Sequence, residues 1–235
     1  MSPLSDIAAN LAAVRARIAA AAERAGRRAS DVTLVAVSKT FGDEHVRAAH
    51  AAGQVDFGEN KVQEGLLKVA ALSDVPGMRW HLIGHLQSNK ARKAAQSFAC
   101  IHSIDSTELL RRVDDAAVAD GTTPDVMIQV DLAGESTKFG APPDEVETIA
   151  RDAMRARAVR LTGLMLIPPW STDPEETRPW FVRLRQFRDR LLASDIPAHA
   201  LRQLSMGMSH DFEAAVEEGA TIVRVGTAIF GARHK

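Results

Sequence analysis

Apolar residues recur along this chain in two periods, and the switches between them mark out its elements. Leu4, Ile7, Leu11, Val14 and Ile18 lie three or four positions apart, with alanine and arginine between them and Gly26 beyond. That spacing predicts an amphipathic helix of about six turns, packed outside whatever follows. Residues 33–39 then form a continuous apolar run rich in β-branched side chains, the mark of a strand covered on both faces. Further strands are expected at residues 55–57, 78–83, 100–104, 126–130, 161–167, 200–205 and 221–225, with helical stretches between them. Asn60 with Gln63, and Asp105 with Glu108, have the spacing that opens a helix. Asp173, Pro174 and Glu176 supply the N-cap, N1 and N3 of a long helix reaching Leu192.

Eight strands alternating with helices through short loops predict one α/β domain over residues 1–235, a (β/α)8 TIM-type barrel with an extra N-terminal helix. The competing fold is an open, doubly wound sheet. It would place a glycine-rich phosphate turn after the first strand, and the sequence Ser38-Lys-Thr-Phe-Gly42 is not one.

Composition narrows the setting. Hydrophobic residues make up 46% of the chain and charged ones 25%, and 29 basic against 30 acidic side chains leave a net charge of −1. That balance offers no footprint for nucleic acid or an anionic membrane surface. Cys100 is the only cysteine, which excludes an internal disulfide and a cysteine-rich metal site. The start of the chain lacks a signal-peptide layout, and no apolar run approaches membrane-spanning length, so a cytoplasmic location is expected.

The polar residues that break the apolar runs collect at the downstream ends of strands: Lys39, Asn60, His81, Asp105, Asp131, Ser205, Arg224, Gly226 and Thr227. In a (β/α)8 barrel those ends share one mouth, where active sites are built. By alternation Lys39 shares a face with Val35 and Val37, and a desolvated lysine there is a nucleophilic amine suited to Schiff-base formation; a lysine that snorkels into water is the simpler alternative. Arg224 lies between Val223 and Val225, and a buried guanidinium needs a fixed acceptor. That acceptor is either a barrel carboxylate such as Asp131 or a ligand. Gly226-Thr227 and the stretch from Ser205 to Ser209 are small-residue loops after the last two strands, the habitual phosphate site of these barrels. His81 and His85 do not make a metal pair, because Gly84 breaks any helix that would align them. Cys100 reads as a small buried apolar residue, and the charged run from Arg178 to Arg190 as a solvated helix face.

Several ordered motifs sharpen this picture: Val35-Ala-Val-Ser-Lys-Thr40, Phe57-Gly-Glu-Asn60, His81-Leu-Ile-Gly-His-Leu-Gln-Ser-Asn-Lys90, Gly163-Leu-Met165, Leu204-Ser-Met-Gly-Met-Ser209 and Val223-Arg-Val-Gly-Thr-Ala-Ile-Phe-Gly231. Over nearly its whole length the chain resembles the pyridoxal 5′-phosphate (PLP) homeostasis proteins, PLP-binding relatives of the alanine racemase N-terminal domain. The resemblance implies a PLP aldimine on Lys39, Arg224 facing the pyridine nitrogen, phosphate held by Ser205, Gly226 and Thr227, and Asn60 beside the cofactor. Lys61 stands where relatives often carry an aromatic residue, and His234 where a tyrosine is common. The function implied is to carry or buffer PLP, as a monomer, with PLP-dependent apo-enzymes as recipients and no metal. The alternative is an amino-acid racemase. Alanine racemases use a tyrosine from an additional domain, and this chain contains no tyrosine. A lysine-dependent aldolase would leave Arg224 and the phosphate loops less well explained. A second, looser PLP site at Lys90 or Lys138 is left open.

Overall fold

Each strand pairs in parallel with its sequence neighbours, and the last returns to the first, so the sheet closes on itself as an eight-stranded barrel. The computed structural model describes residues 6–134 and 139–232. Leu4, Lys138 and His234 lie outside the described residues. In chain order the elements are α1 (Ile7–Arg24), β1 (Thr33–Val37), α2 (Asp43–Ala51), β2 (Asp56–Glu59), α3 (Val62–Ala71) and β3 (Arg79–Leu82). There follow α4 (Ala91–Ser97), β4 (Cys100–Ile104), α5 (Thr107–Asp120), β5 (Asp125–Gln129), α6 (Pro143–Ala153) and β6 (Arg160–Met165). The chain closes through α7 (Pro174–Ala193), β7 (Gln203–Ser205), α8 (Phe212–Glu217), β8 (Ile222–Val225) and α9 (Thr227–Phe230).

The period-two alternation of the strands sorts the core into two layers. Val35, Cys100, Met127 and Ile222 pack together inside the barrel, whereas Leu34, Ala36, Val223 and Val225 belong to the larger cluster under the helices. Helix α1 buries Ile7, Leu11, Val14 and Ile18, as its spacing requires. It packs against α2, α8 and α9, across the seam where β8 meets β1. Each such side chain, fully buried, contributes about 1.5–3 kcal/mol.

Several boundaries differ from those the pattern suggests. Strand β1 stops at Val37, and Lys39 sits in the turn beyond it. Helix α3 starts after Lys61, with no side-chain cap, so Asn60 does not close a capping box with Gln63. Helix α5 is capped by Ser106, whose Oγ accepts from the Leu109 amide, and not by Asp105. Only Gln203–Ser205 of the seventh run is strand; Ala198–Leu201 forms a 3₁₀ turn after Pro197.

Candidate functional site

At the C-terminal mouth of the barrel lies a cavity of about 640 Å3. Its wall includes Lys39, Asn60, Arg224, Gly226 and Thr227, five residues spread over 189 positions of sequence and brought together by barrel closure.

Lys39 owes its position to a buried polar cluster beneath its turn. Ser38 Oγ donates to Glu59 Oε1 at 2.6 Å, and Lys68 Nζ donates both to Glu59 Oε1 and to the Ser38 carbonyl, each at 2.6 Å. Both members of the Lys68–Glu59 pair are buried, so their mutual attraction works at low dielectric and ties β1, β2 and α3 together. Thr40, immediately after the lysine, has φ 69°. A β-branched residue in the left-handed region is strained, and such strain clusters at functional turns. Asn60 is pressed against the β3 exit, where a Cβ at Gly84 would come within 2.2 Å of the Asn60 carbonyl oxygen; only glycine permits that approach.

Arg224 is 3% exposed. Its Nη1 donates to Ser205 Oγ at 2.7 Å and its Nη2 to the Leu166 carbonyl at 2.9 Å. No carboxylate pairs with it among the described residues, and Asp131 instead accepts from the amides of Ala133 and Gly134. Burial lowers its pKa to about 10, against the pull of Asp211, which leaves it a cation at neutral pH. A buried cation held by a hydroxyl and a carbonyl, on the wall of a cavity, has further N–H donors to offer a ligand's acceptor.

Ser205, which the resemblance gives a place in the phosphate cradle, is not among the residues that line this cavity. It is fully buried, bonded to Arg224 and to His102 Nδ1 at 2.9 Å. The chain turns at Gly207 (φ 91°), where a Cβ would lie 2.6 Å from that of Ala215, and this turn carries Ser209 to the cavity wall instead. Ser209 Oγ accepts from the amides of Gly226 at 3.1 Å and Ala228 at 3.4 Å, so the loops after β7 and β8 are tied by this one hydroxyl. Its own O–H has no acceptor among the described residues. The sequence signal for Ser209 was present in the small-residue loop, but which of its two serines faces the mouth depends on the Gly207 turn.

His81 lies inside the barrel and not at the mouth, because β3 ends at Leu82 and its ring turns toward His102. His85 is at the mouth, stacked on Phe139 with ring centroids 3.6 Å apart, so the two histidines do not converge. His81, Cys100 and His102 do form one buried group with ligand atoms within 4.8 Å of one another. Burial pushes the Cys100 thiol pKa well up, with Asp125 adding to it, and the imidazole nitrogens are engaged in hydrogen bonds. At the mouth, burial also raises the carboxyl of Asp105, which faces His85 at 3.5 Å.

Comparison with known proteins places this architecture. The family model of the alanine racemase N-terminal domain matches residues 9–234. A pyridoxal phosphate homeostasis protein of Pseudomonas aeruginosa is 45% identical over 230 residues, 98% of this chain and 97% of that protein. Its counterpart in Escherichia coli is 41% identical over 232 residues, 98% of each. PipY of Synechococcus elongatus, solved with PLP bound, superimposes with a TM-score of 0.85 at 41% identity, covering 96% of this chain and 100% of that one. Alanine racemase from Streptomyces coelicolor, 23% identical with a TM-score of 0.69, shares the fold over 95% of this chain and 59% of its own. The chain therefore belongs to the pyridoxal phosphate homeostasis proteins, a family built on the alanine racemase N-terminal barrel.

Proposed function

We propose that this protein binds PLP in the mouth cavity, covalently through Lys39, and carries or buffers it for other proteins. The observation that carries this reading is the pairing, in one cavity, of a lysine on a strained turn with a buried arginine that no carboxylate pairs with among the described residues. The donor set fits the cofactor. Lys39 offers an amine for its aldehyde, Arg224 a fixed donor for its pyridine nitrogen, and Ser209 with Gly226 and Thr227 small polar groups for its phosphate. Asn60 is the polar neighbour for the ring edge. When bound, PLP supplies an aldehyde carbon and an electron-withdrawing ring. The chain's part is to hold these in place and, at Arg224, to withhold a proton from the ring nitrogen. Relatives named for PLP homeostasis, and PipY solved with PLP, support the same assignment. PLP-dependent apo-enzymes are the proposed recipients, and the protein is proposed to act as a monomer rather than as an enzyme.

The test is direct. Purified protein loaded with PLP absorbs in the visible range, and borohydride fixes the cofactor to the peptide containing Lys39. Lys39→Ala is expected to lose both the colour and the fixed label. Label spread evenly over surface lysines such as Lys90, with Lys39→Ala still coloured, overturns the reading.

A further inference from the structure

A continuous chain of hydrogen bonds, buried from His81 onward, runs from the opposite end of the barrel to Arg224. Asp56 opens β2, and its Oδ1 lies 2.9 Å from His81 Nε2. His81 Nδ1 is 2.9 Å from His102 Nε2, and His102 Nδ1 is 2.9 Å from Ser205 Oγ. Ser205 Oγ in turn receives Arg224 Nη1 at 2.7 Å. Both histidines and Ser205 are fully or almost fully buried.

We propose that His81 and His102 are positioning residues for Arg224, acting through Ser205. The two ends set the direction of every link. A carboxylate at Asp56 only accepts, and a guanidinium at Arg224 only donates. His81 therefore donates from Nε2, which leaves its Nδ1 as an acceptor for His102 Nε2–H. His102 Nδ1 then accepts the Ser205 proton, and the Ser205 lone pair is left facing Arg224. The reverse direction needs a doubly protonated His81. It also leaves the Ser205 proton without an acceptor among the described residues. Burial, the neighbouring His81 and the Arg224 charge all hold the His102 pKa well below its ordinary value, in keeping with a neutral ring. With the serine proton committed inward, one Arg224 nitrogen is pinned by Ser205 and the other by Leu166, and the remaining donors are held toward the cavity.

This inference rests on the reading that Arg224 faces the pyridine nitrogen of PLP, and its test separates the two. In ligand-free protein, ¹⁵N NMR of the imidazoles is expected to show the Nε2–H tautomer in both rings, as the hydrogen-bond directions require. A proton on Nδ1 of either ring overturns the relay, whatever the cavity binds. In holo-protein carrying ¹⁵N-labelled PLP, His102→Phe is expected to move the pyridine nitrogen signal and to weaken PLP retention roughly tenfold, the scale of one charge-assisted hydrogen bond. Borohydride labelling of Lys39 persists in that variant. Ser205→Ala should give the same shift, and adding His102→Phe to it no further change, because the histidine acts through the serine. An unmoved pyridine signal in the folded single variants overturns the proposal while leaving PLP on Lys39 intact. If His102→Phe does not fold, Ser205→Ala and the wild-type tautomers decide. Absence of label at Lys39 in the wild type sinks the cofactor reading instead.

Discussion

A guanidinium at the end of an apolar strand has few roles open to it. Arg224 keeps its charge, can only donate, and finds no carboxylate among the described residues. Facing a pyridine nitrogen it favours the unprotonated ring, which makes a shallow electron sink for chemistry at an amino-acid α-carbon. The rest of the composition points the same way. The chain contains no tyrosine, and burial holds the Cys100 thiol protonated inside the barrel. Holo-protein incubated with L-alanine in D₂O is therefore expected to exchange the α-hydrogen far more slowly than a typical enzyme turnover of about 1–10³ per second. Mass spectrometry and chiral analysis of the amino acid read this out. Exchange at enzymatic rates, lost in Lys39→Ala, overturns the carrier reading in favour of a racemase.

Strand ends and the loops that follow them set where these residues point. Lys39 is offset from β1 by two residues, and the Lys68–Glu59–Ser38 cluster holds the offset in place. The loops after β7 and β8 lie side by side because their strands are neighbours, and Ser209 fastens them by accepting from both Gly226 and Ala228. If these two loops hold the phosphate, PLP should bind far more tightly than pyridoxal, each lost charge-assisted hydrogen bond being worth about 1.5–3 kcal/mol. Ser209→Ala is expected to cost about tenfold in PLP affinity and leave pyridoxal nearly unaffected, as measured by equilibrium dialysis of the two vitamers. Equal losses for both vitamers count against the cradle.

Around the whole barrel, side chains of one helix fasten the connections of its neighbour. Arg15 of α1 donates to the Ala52 and Gly53 carbonyls after α2, and Arg178 of α7 bridges Glu217 and Glu218 at the end of α8. Asp114 of α5 accepts from the amides of Arg157, Ala158 and Val159, the turn that leads into β6. Burial pushes the Asp114 carboxyl pKa up, but the three amides and the Arg157 charge outweigh it and hold the group below its ordinary value. A lowered folded value means that the stabilisation is fully present above the unfolded carboxyl pKa of about 3.9 and fades as pH falls through the folded one. Asp114→Ala is expected to lose about 2 kcal/mol of unfolding free energy near neutral pH, by urea titration. The gap to wild type should begin to narrow below about pH 4 and close only as pH falls through the lowered folded value. A gap independent of pH places the loss in packing instead.

Periodicity and order along the chain determined the architecture, because they are local properties. A 3–4 spacing at Ile7 to Ile18 can only bury one helical face, and doubly apolar strands alternating with helices close as a parallel barrel. The same reasoning brought Lys39, Asn60, Arg224, Gly226 and Thr227 to one mouth, since every strand of such a barrel ends on the same side. What stayed hidden was the partner of each polar group. That Ser205 turns inward and Ser209 outward follows from a left-handed glycine packed against Ala215. That Arg224 avoids Asp131, and that His102 reaches Ser205 across 103 residues, depends on which side chains meet in the barrel interior. Hydrogen-bond partners are chosen by distances of about 3 Å in space. No spacing along a strand encodes them, so only the closed barrel could decide them.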